Sequence, residues 1–256
     1  MNVLQNLIEM YNHLSPDSTY REVIRLILMN LKEAAEATVY DLAELTCSSR
    51  TTISRLLDKL GYGSYAEFHE ALRQAVRNYT YYNRILPAHA GREEILPELK
   101  KQAESAARIE SPDMSEAALA EVSQALHEAG QVFFYTTASR SISSLQQNLA
   151  MAGIDTLNLM ILPELLQCAG QAREGSILFC RTIEYAETQD LRPLFEAFKA
   201  RGTSVYMFGG EKTRYSRYVD RFILKNSTAE GAIGLLLSDE LYFYALSETF
   251  RRMYLD

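Results

Sequence analysis

The chain has 256 residues, 47 % hydrophobic and 23 % charged, enough to bury one large core or two modest ones. Its formal net charge of −7 excludes a chain that is basic throughout, and the lack of a run of about 18 apolar residues argues against a membrane span. Cys47, Cys168 and Cys180 show neither paired spacing nor disulfide density, and the opening MNVLQNLIEMYNHLSPDS lacks the basic segment and cleavage site of a secretory peptide, so a reducing cytoplasm is expected.

In chain order, Val3 to His13 reads as a short helix ended by Ser15-Pro16. A second helix is predicted over Tyr20–Leu31, with Val23, Ile24, Ile27, Leu28 and Leu31 as one stripe. From Thr38 to Tyr65 the spacing predicts two helices joined by a tight polar turn. Val39, Leu42, Ala43 and Leu45 give the first its apolar side, Cys47-Ser48-Ser49 interrupts the pattern, and Ser49 is placed to cap the next helix. There Ile53, Leu56, Leu57 and Leu60 face inward, leaving Arg50, Thr51, Ser54 and Asp58 outside, with Gly61 as the stop. An outward Arg-Thr-Ser face beginning at a capped N-terminus suits a DNA major groove, although an ordinary helical hairpin has the same spacing. Charge permits the first reading: between Thr46 and Asn78, five basic residues stand against three acids, a local excess of two. Ala66 to Tyr79 follows as a helix, with Phe68, Leu72 and Val76 inward.

Residues 81–112 are read as a helical linker, with a helix over 94–109 interrupted at Pro97; Tyr79, Tyr81 and Tyr82 at its start are expected to pack against a neighbouring domain or subunit. Ser115 opens a helix to Ala129. Beyond 131, apolar runs alternate with helices. Strands are predicted at Val132–Thr136, Thr156–Met160, Ile177–Cys180, Ser204–Phe208 and Arg221–Leu224, and the chain ends in a long helix, Ala232–Tyr254. The fold class expected is therefore an all-α helix-turn-helix domain (1–80) followed by an α/β domain (113–256). The latter is a five-stranded parallel sheet with helices on both faces and a ligand crevice at its strand ends.

No catalytic, metal or cofactor constellation emerges. His13, His69, His89 and His127 lack ligand spacing, Thr137-Ala138-Ser139-Arg140 lacks a nucleophile-elbow context, and Gly209-Gly210-Glu211-Lys212-Thr213 lacks the phosphate-loop spacing.

The stretch LAELTCSSRTTISRLLDKLGYGSYAEF resembles the helix-turn-helix of RpiR-type transcriptional regulators. The family's pattern falls on Ser49, Thr52, Ile53, Ser54, Arg55, Leu56, Lys59, Leu60 and Gly61, with Tyr62 and Ser64-Tyr65 standing where Phe and Gly-Phe/Tyr are usual. The domain order is also similar, since a sugar isomerase (SIS) domain follows the DNA-binding domain in that family. The resemblance implies a homodimer, or dimer of dimers, on double-stranded DNA, acting away from membranes. Arg50, Thr51 and Ser54 are expected at base edges. Ser49, Arg55, Lys59, Tyr62, Ser64 and Tyr65 are expected at phosphates or the DNA backbone, Arg55 alternatively packing within the domain. The SIS ligand loops are eroded: Tyr135–Ser139 keeps only the final Ser of Gly-x-Gly-x-Ser, and Ile183–Thr188 keeps only Glu187 and Thr188 of Ser-x-Ser-Gly-Glu-Thr. Small residues there let backbone amides approach a phosphate. The residues left to hold a sugar-phosphate effector are Thr136, Thr137, Ser139, Arg140 and Ser141 near the first strand and Arg181, Thr182 and Thr188 near the third. The alternatives are a sugar-phosphate isomerase using Glu184, Glu187, Glu230 or His127, and an effector-sensing scaffold that binds another protein through the terminal helix and the Tyr cluster.

Overall fold

Four of the helix starts in the first eighty residues are set by polar side chains. Asn2 Oδ1 accepts from Gln5 N and Gln5 Oε1 from Asn2 N, both at 3.0 Å, opening α1 (Val3–His13). Thr38 and Asp41 make the same reciprocal pair before α4 (Val39–Leu45). Ser49 caps α5 (Arg50–Leu60), and Ser64 caps α6 (Tyr65–Arg77). The computed structural model describes residues 2–79, 86, 91–108, 110–136, 139–181, 190–209, 213–224 and 229–256. Tyr81, Tyr82, Thr137, Thr182, Ile183–Thr188, His89 and Gly210–Lys212 lie outside them, and for Ser139 only the backbone is described.

The chain divides into two units. The first comprises Met1–Asn83 with Met160–Gln167 and, of the described residues further on, Asp190 and Leu191, and it begins with α1, α2 (Thr19–Met29), α3 (Leu31–Ala34), α4, α5 and α6. One helix was expected over Tyr20–Leu31. Asn30 divides it, leaving helical dihedrals (φ −124°, ψ 38°) while its Nδ2 donates to Leu26 O at 2.9 Å. The core joins Leu7, Val23, Ile24, Ile27 and Leu42 to the four predicted apolar residues of α5 and to Phe68 and Leu72.

The second unit opens with α7 (Ile95–Ala107), which runs unbroken through Pro97 because that residue falls in the first helical turn, where no backbone N–H is required. α8 (Glu116–Ala129) leads into the sheet: β1 (Gln131–Tyr135), α9 (Ser139–Met151), β2 (Asp155–Asn158), β3 (Ile177–Arg181), α11 (Arg192–Lys199), β4 (Ser204–Phe208), β5 (Arg221–Ile223) and α12 (Gly231–Tyr254), while α10 (Leu162–Ala169), between β2 and β3 in the chain, belongs as far as Gln167 to the first unit. All five strands are parallel in the order β2-β1-β3-β4-β5, with Val132 beside Ile177 and Tyr135 beside Cys180. Strand alternation supplies two faces. Val132 and Phe134 meet α8, α9 and α12 through Leu126, Leu145 and Phe243, while Phe133 on the opposite face meets Phe198 of α11 at 4.9 Å. The fold class read from the sequence is the one observed. Among the described residues no helix is long and apolar enough to cross a membrane.

α12 is capped by its neighbour. Its own Glu230 makes no side-chain cap, but Ser105 Oγ of α7 accepts from Glu230 N at 2.8 Å and Gln102 Oε1 from Ile233 N at 3.1 Å. Gly234 allows this approach: a Cβ there would lie 2.9 Å from Ser105 Oγ and 3.0 Å from Gln102 O. Gly234→Val is therefore expected to destabilise the unit by about 1–3 kcal/mol, read from the urea unfolding midpoint, despite valine's better helix propensity.

Candidate nucleic-acid interface

The turn before α5 is tight. Cys47 adopts φ 48°, in the left-handed region, and Ser48 N returns to Ala43 O at 2.8 Å. Ser49 Oγ then accepts from Thr52 N at 3.1 Å, fixing the first turn of α5. With Ile53, Leu56, Leu57 and Leu60 buried, Arg50, Thr51, Ser54, Arg55, Asp58 and Lys59 are all exposed. Arg55 thus stands outward and does not pack within the unit. Three cations and one carboxylate on this face give it a positive excess that the whole chain lacks.

Arg50 is held in place before any ligand arrives. Its Nη1 donates to Tyr40 Oη at 2.9 Å, and its guanidinium carbon lies 4.6 Å from the Tyr40 ring centroid. Tyr40 was not among the residues singled out from the sequence, and the only signal for it is an exposed aromatic on α4, ten positions before an arginine. Beside them is a 70 Å³ hollow whose lining includes Val39, Arg50, Ser54, Asp58, Ser64 and Tyr65. Metabolite pockets run to about 300–1,000 Å³, so this hollow fits a feature of a contact surface and not a small-molecule site.

The turn after α5 behaves differently from expectation. Tyr62, expected at the DNA backbone, is 3 % exposed and packs edge-on against Phe68 at 5.4 Å, so its ring belongs to the core and not to the surface. Tyr65 Oη donates to Ala37 O at 2.7 Å, and burial pushes its phenol up to about 12, which keeps it a donor at any physiological pH. Ser64 Oγ accepts from Glu67 N at 3.2 Å. The side chains of Ser49, Ser64 and Tyr65 are thus engaged in building the turns, leaving Arg50, Thr51, Ser54, Arg55 and Lys59 outward.

In the second unit, the crevice lies at the C-terminal ends of β1 and β3. Register sets Thr136 next to Arg181, one step beyond the Tyr135–Cys180 pair. Thr136 is buried and its Oγ1 has no hydrogen-bond partner among the described residues. Ser141 is buried in the first turn of α9, and its N–H donates to Glu240 Oε2 at 3.1 Å. Arg181 forms a two-bond ion pair with Asp239, and its guanidinium carbon is 5.5 Å from the Phe208 centroid. Arg140 is exposed. Thr136, Ser141 and Arg181 therefore share one strand end; Thr137, Thr182 and Thr188 are outside the described residues. Of the acid–base candidates, Glu230 is exposed and paired with Lys101 at 3.0 Å, and His127 stacks on Tyr254 at 4.0 Å.

No protein-family profile matches the chain, and no curated protein does. Solved structures do. NanR of Vibrio vulnificus, complexed with ManNAc-6P, is 20 % identical with a TM-score of 0.45, covering 99 % of this chain and 92 % of its own. A protein described as a phosphosugar isomerase involved in capsule formation, from Bacteroides fragilis, is 15 % identical with a TM-score of 0.45, covering 63 % of this chain and 90 % of its own. One from Listeria monocytogenes, described as a sugar-phosphate isomerase, is 16 % identical with a TM-score of 0.41, covering 65 % and 100 %. At these scores the likenesses carry no weight on function.

Proposed function

We propose that the chain is a sequence-specific, DNA-binding transcriptional regulator of the RpiR type that acts as a homodimer, its second domain binding a small anionic effector such as a sugar phosphate without turning it over. The observation that supports this most is the exposed N-terminal half of α5, where Arg50, braced by Tyr40, stands with Thr51 and Ser54 at the start of a capped helix. The motif shared with RpiR-type regulators covers the same helix. For the homodimer, α12 supplies support: Leu235, Leu236, Leu237, Leu241 and Tyr244 are exposed along it, a run of apolar surface suited to a second copy.

In this reading Arg50, Thr51 and Ser54 meet base edges, and Arg55 and Lys59 neutralise phosphates on either side. Ser49 and Ser64, whose hydroxyls cap α5 and α6, bring two helix N-termini towards the DNA backbone. Arg50→Ala is expected to weaken binding to the chain's own upstream duplex by about 1–3 kcal/mol and to relax specificity, because a fork of two donors to one base is lost. Lys59→Ala should weaken all duplexes alike and flatten the salt dependence by about one charge. Footprinting and gel shifts across salt concentrations separate the two. No retention of the wild-type chain on duplex DNA at low salt removes the proposal, and turnover of a sugar phosphate in a coupled assay, abolished by Glu230→Gln, replaces it with the isomerase.

A further inference from the structure

In a sheet of order β2-β1-β3-β4-β5, the connections leave β1 and β3 towards opposite sides, and the crevice for a ligand opens between those two strand ends. The helix that follows β1 points its unsatisfied N–H groups there, which favours an anion. In this chain that place is already supplied with negative charge by α12. Ser141 N in the first turn of α9 is taken by Glu240, and Arg181 at the end of β3 by Asp239. The two acids are consecutive, so a single stretch of α12 delivers two carboxylates to the two electropositive ends of the crevice. Asp239 is 1 % exposed and Arg181 10 %, whereas Glu240 is only half-buried. The first pair is fixed in the interior and the second can open to water. Thr136 Oγ1, also buried at this strand end, keeps a hydroxyl without a partner among the described residues.

We propose that Asp239 and Glu240 form a built-in anionic ligand of the crevice and determine its specificity, so that a phosphate-bearing molecule enters only by displacing Glu240 from the N-terminus of α9. Asp239 stays on Arg181, and the incoming oxygens take the Ser141 amide and come within reach of Thr136 and Arg140. A dianion competes with one carboxylate at one helix end, while a neutral sugar has nothing to exchange for it. Glu240 lies among Leu235, Leu236, Leu237 and Leu241, so releasing it loosens the same stretch of α12 that carries the exposed leucines. This inference rests on reading the second domain as an effector domain and is independent of whether the first binds DNA.

The test uses the full chain with inorganic phosphate as the probe, followed by calorimetry and by the amide resonance of Ser141. Glu240→Ala is expected to bind phosphate about tenfold more tightly than the wild type, with the Ser141 amide shifting on titration. Glu240→Gln keeps the acceptor, removes the charge and should fall between them, which also guards against misfolding of the alanine variant. Wild-type binding as tight as that of Glu240→Ala, with the Ser141 amide shifting in both, overturns the built-in ligand but leaves the effector domain standing. Absence of binding in all three proteins, or binding that leaves Ser141 unmoved, overturns both.

Discussion

Arg181→Ala is expected to lower the stability of the second unit by about 3–5 kcal/mol at pH 8, and by much less at pH 5. The reason is the carboxylate it leaves behind. Asp239 is 1 % exposed and Arg181 is the cation paired with it, so truncating the guanidinium strands a buried charge. Burial already pushes the Asp239 carboxyl up to about 6, even though the guanidinium pulls it down. Without Arg181 the carboxyl rises further and is protonated at pH 5, where the stranded charge, and with it most of the penalty, is gone.

The wild type carries the same linkage with a definite sign. An unfolded aspartate titrates near 3.9. Between that value and about 6 the folded protein holds a proton that the unfolded chain does not, so the group's stabilising contribution is complete below about 4 and is lost as the pH rises through 6. Relative to Asp239→Asn, which cannot titrate, the wild type should lose roughly 2–3 kcal/mol between pH 4 and pH 7. Urea unfolding followed by circular dichroism at the two pH values measures both effects. A cost of Arg181→Ala that does not vary with pH would show that removing the guanidinium leaves the protonation of Asp239 unchanged.

What could be read in the sequence followed from local physics. The apolar spacing of Ile53, Leu56, Leu57 and Leu60, bounded by Ser49 and Gly61, located α5 to the residue, and the short β-branched and aromatic runs located all five strands to within a few residues. The three misplaced features were also local. Asn30 breaks a helix whose apolar stripe continues past it, and Pro97 was weighed as a breaker although its position in the first turn makes it harmless. Tyr62 was misplaced because an aromatic beside a recognition helix has the same sequence signature whether it packs on Phe68 or faces a phosphate. The crevice was legible only from one side. Thr136, Ser141 and Arg181 follow from strand ends, but their partners come from α12, 58 positions beyond Arg181 and 99 beyond Ser141. No local periodicity marks a Leu-Ser-Asp-Glu-Leu stretch as the source of two inward carboxylates, because in an amphipathic reading those acids belong on the solvent side.

Phe68→Ala is expected to cost the first unit about 3–5 kcal/mol, comparable with the whole stability of many small domains, and to abolish retention on duplex DNA while leaving the unfolding of the second unit in place. Phe68 has no exposed surface. Tyr62 meets its ring edge-on at 5.4 Å and Tyr65 at 6.5 Å, so this one side chain supports both ends of the turn that separates α5 from α6. Removing it leaves a cavity under Gly61–Ser64 and takes away the surface on which Tyr65 rests while its hydroxyl reaches Ala37 O. The exposed residues of α5 are untouched by the change, so lost binding would come from lost positioning. Arg50→Ala gives the contrast, since it should unfold at the wild-type midpoint and still bind more weakly. Two separate transitions in Phe68→Ala, one shifted and one not, would establish that the two units are held together by independent cores. A single transition displaced as a whole would show that they fold as one, and the DNA-binding loss would then have to be reread as a global effect.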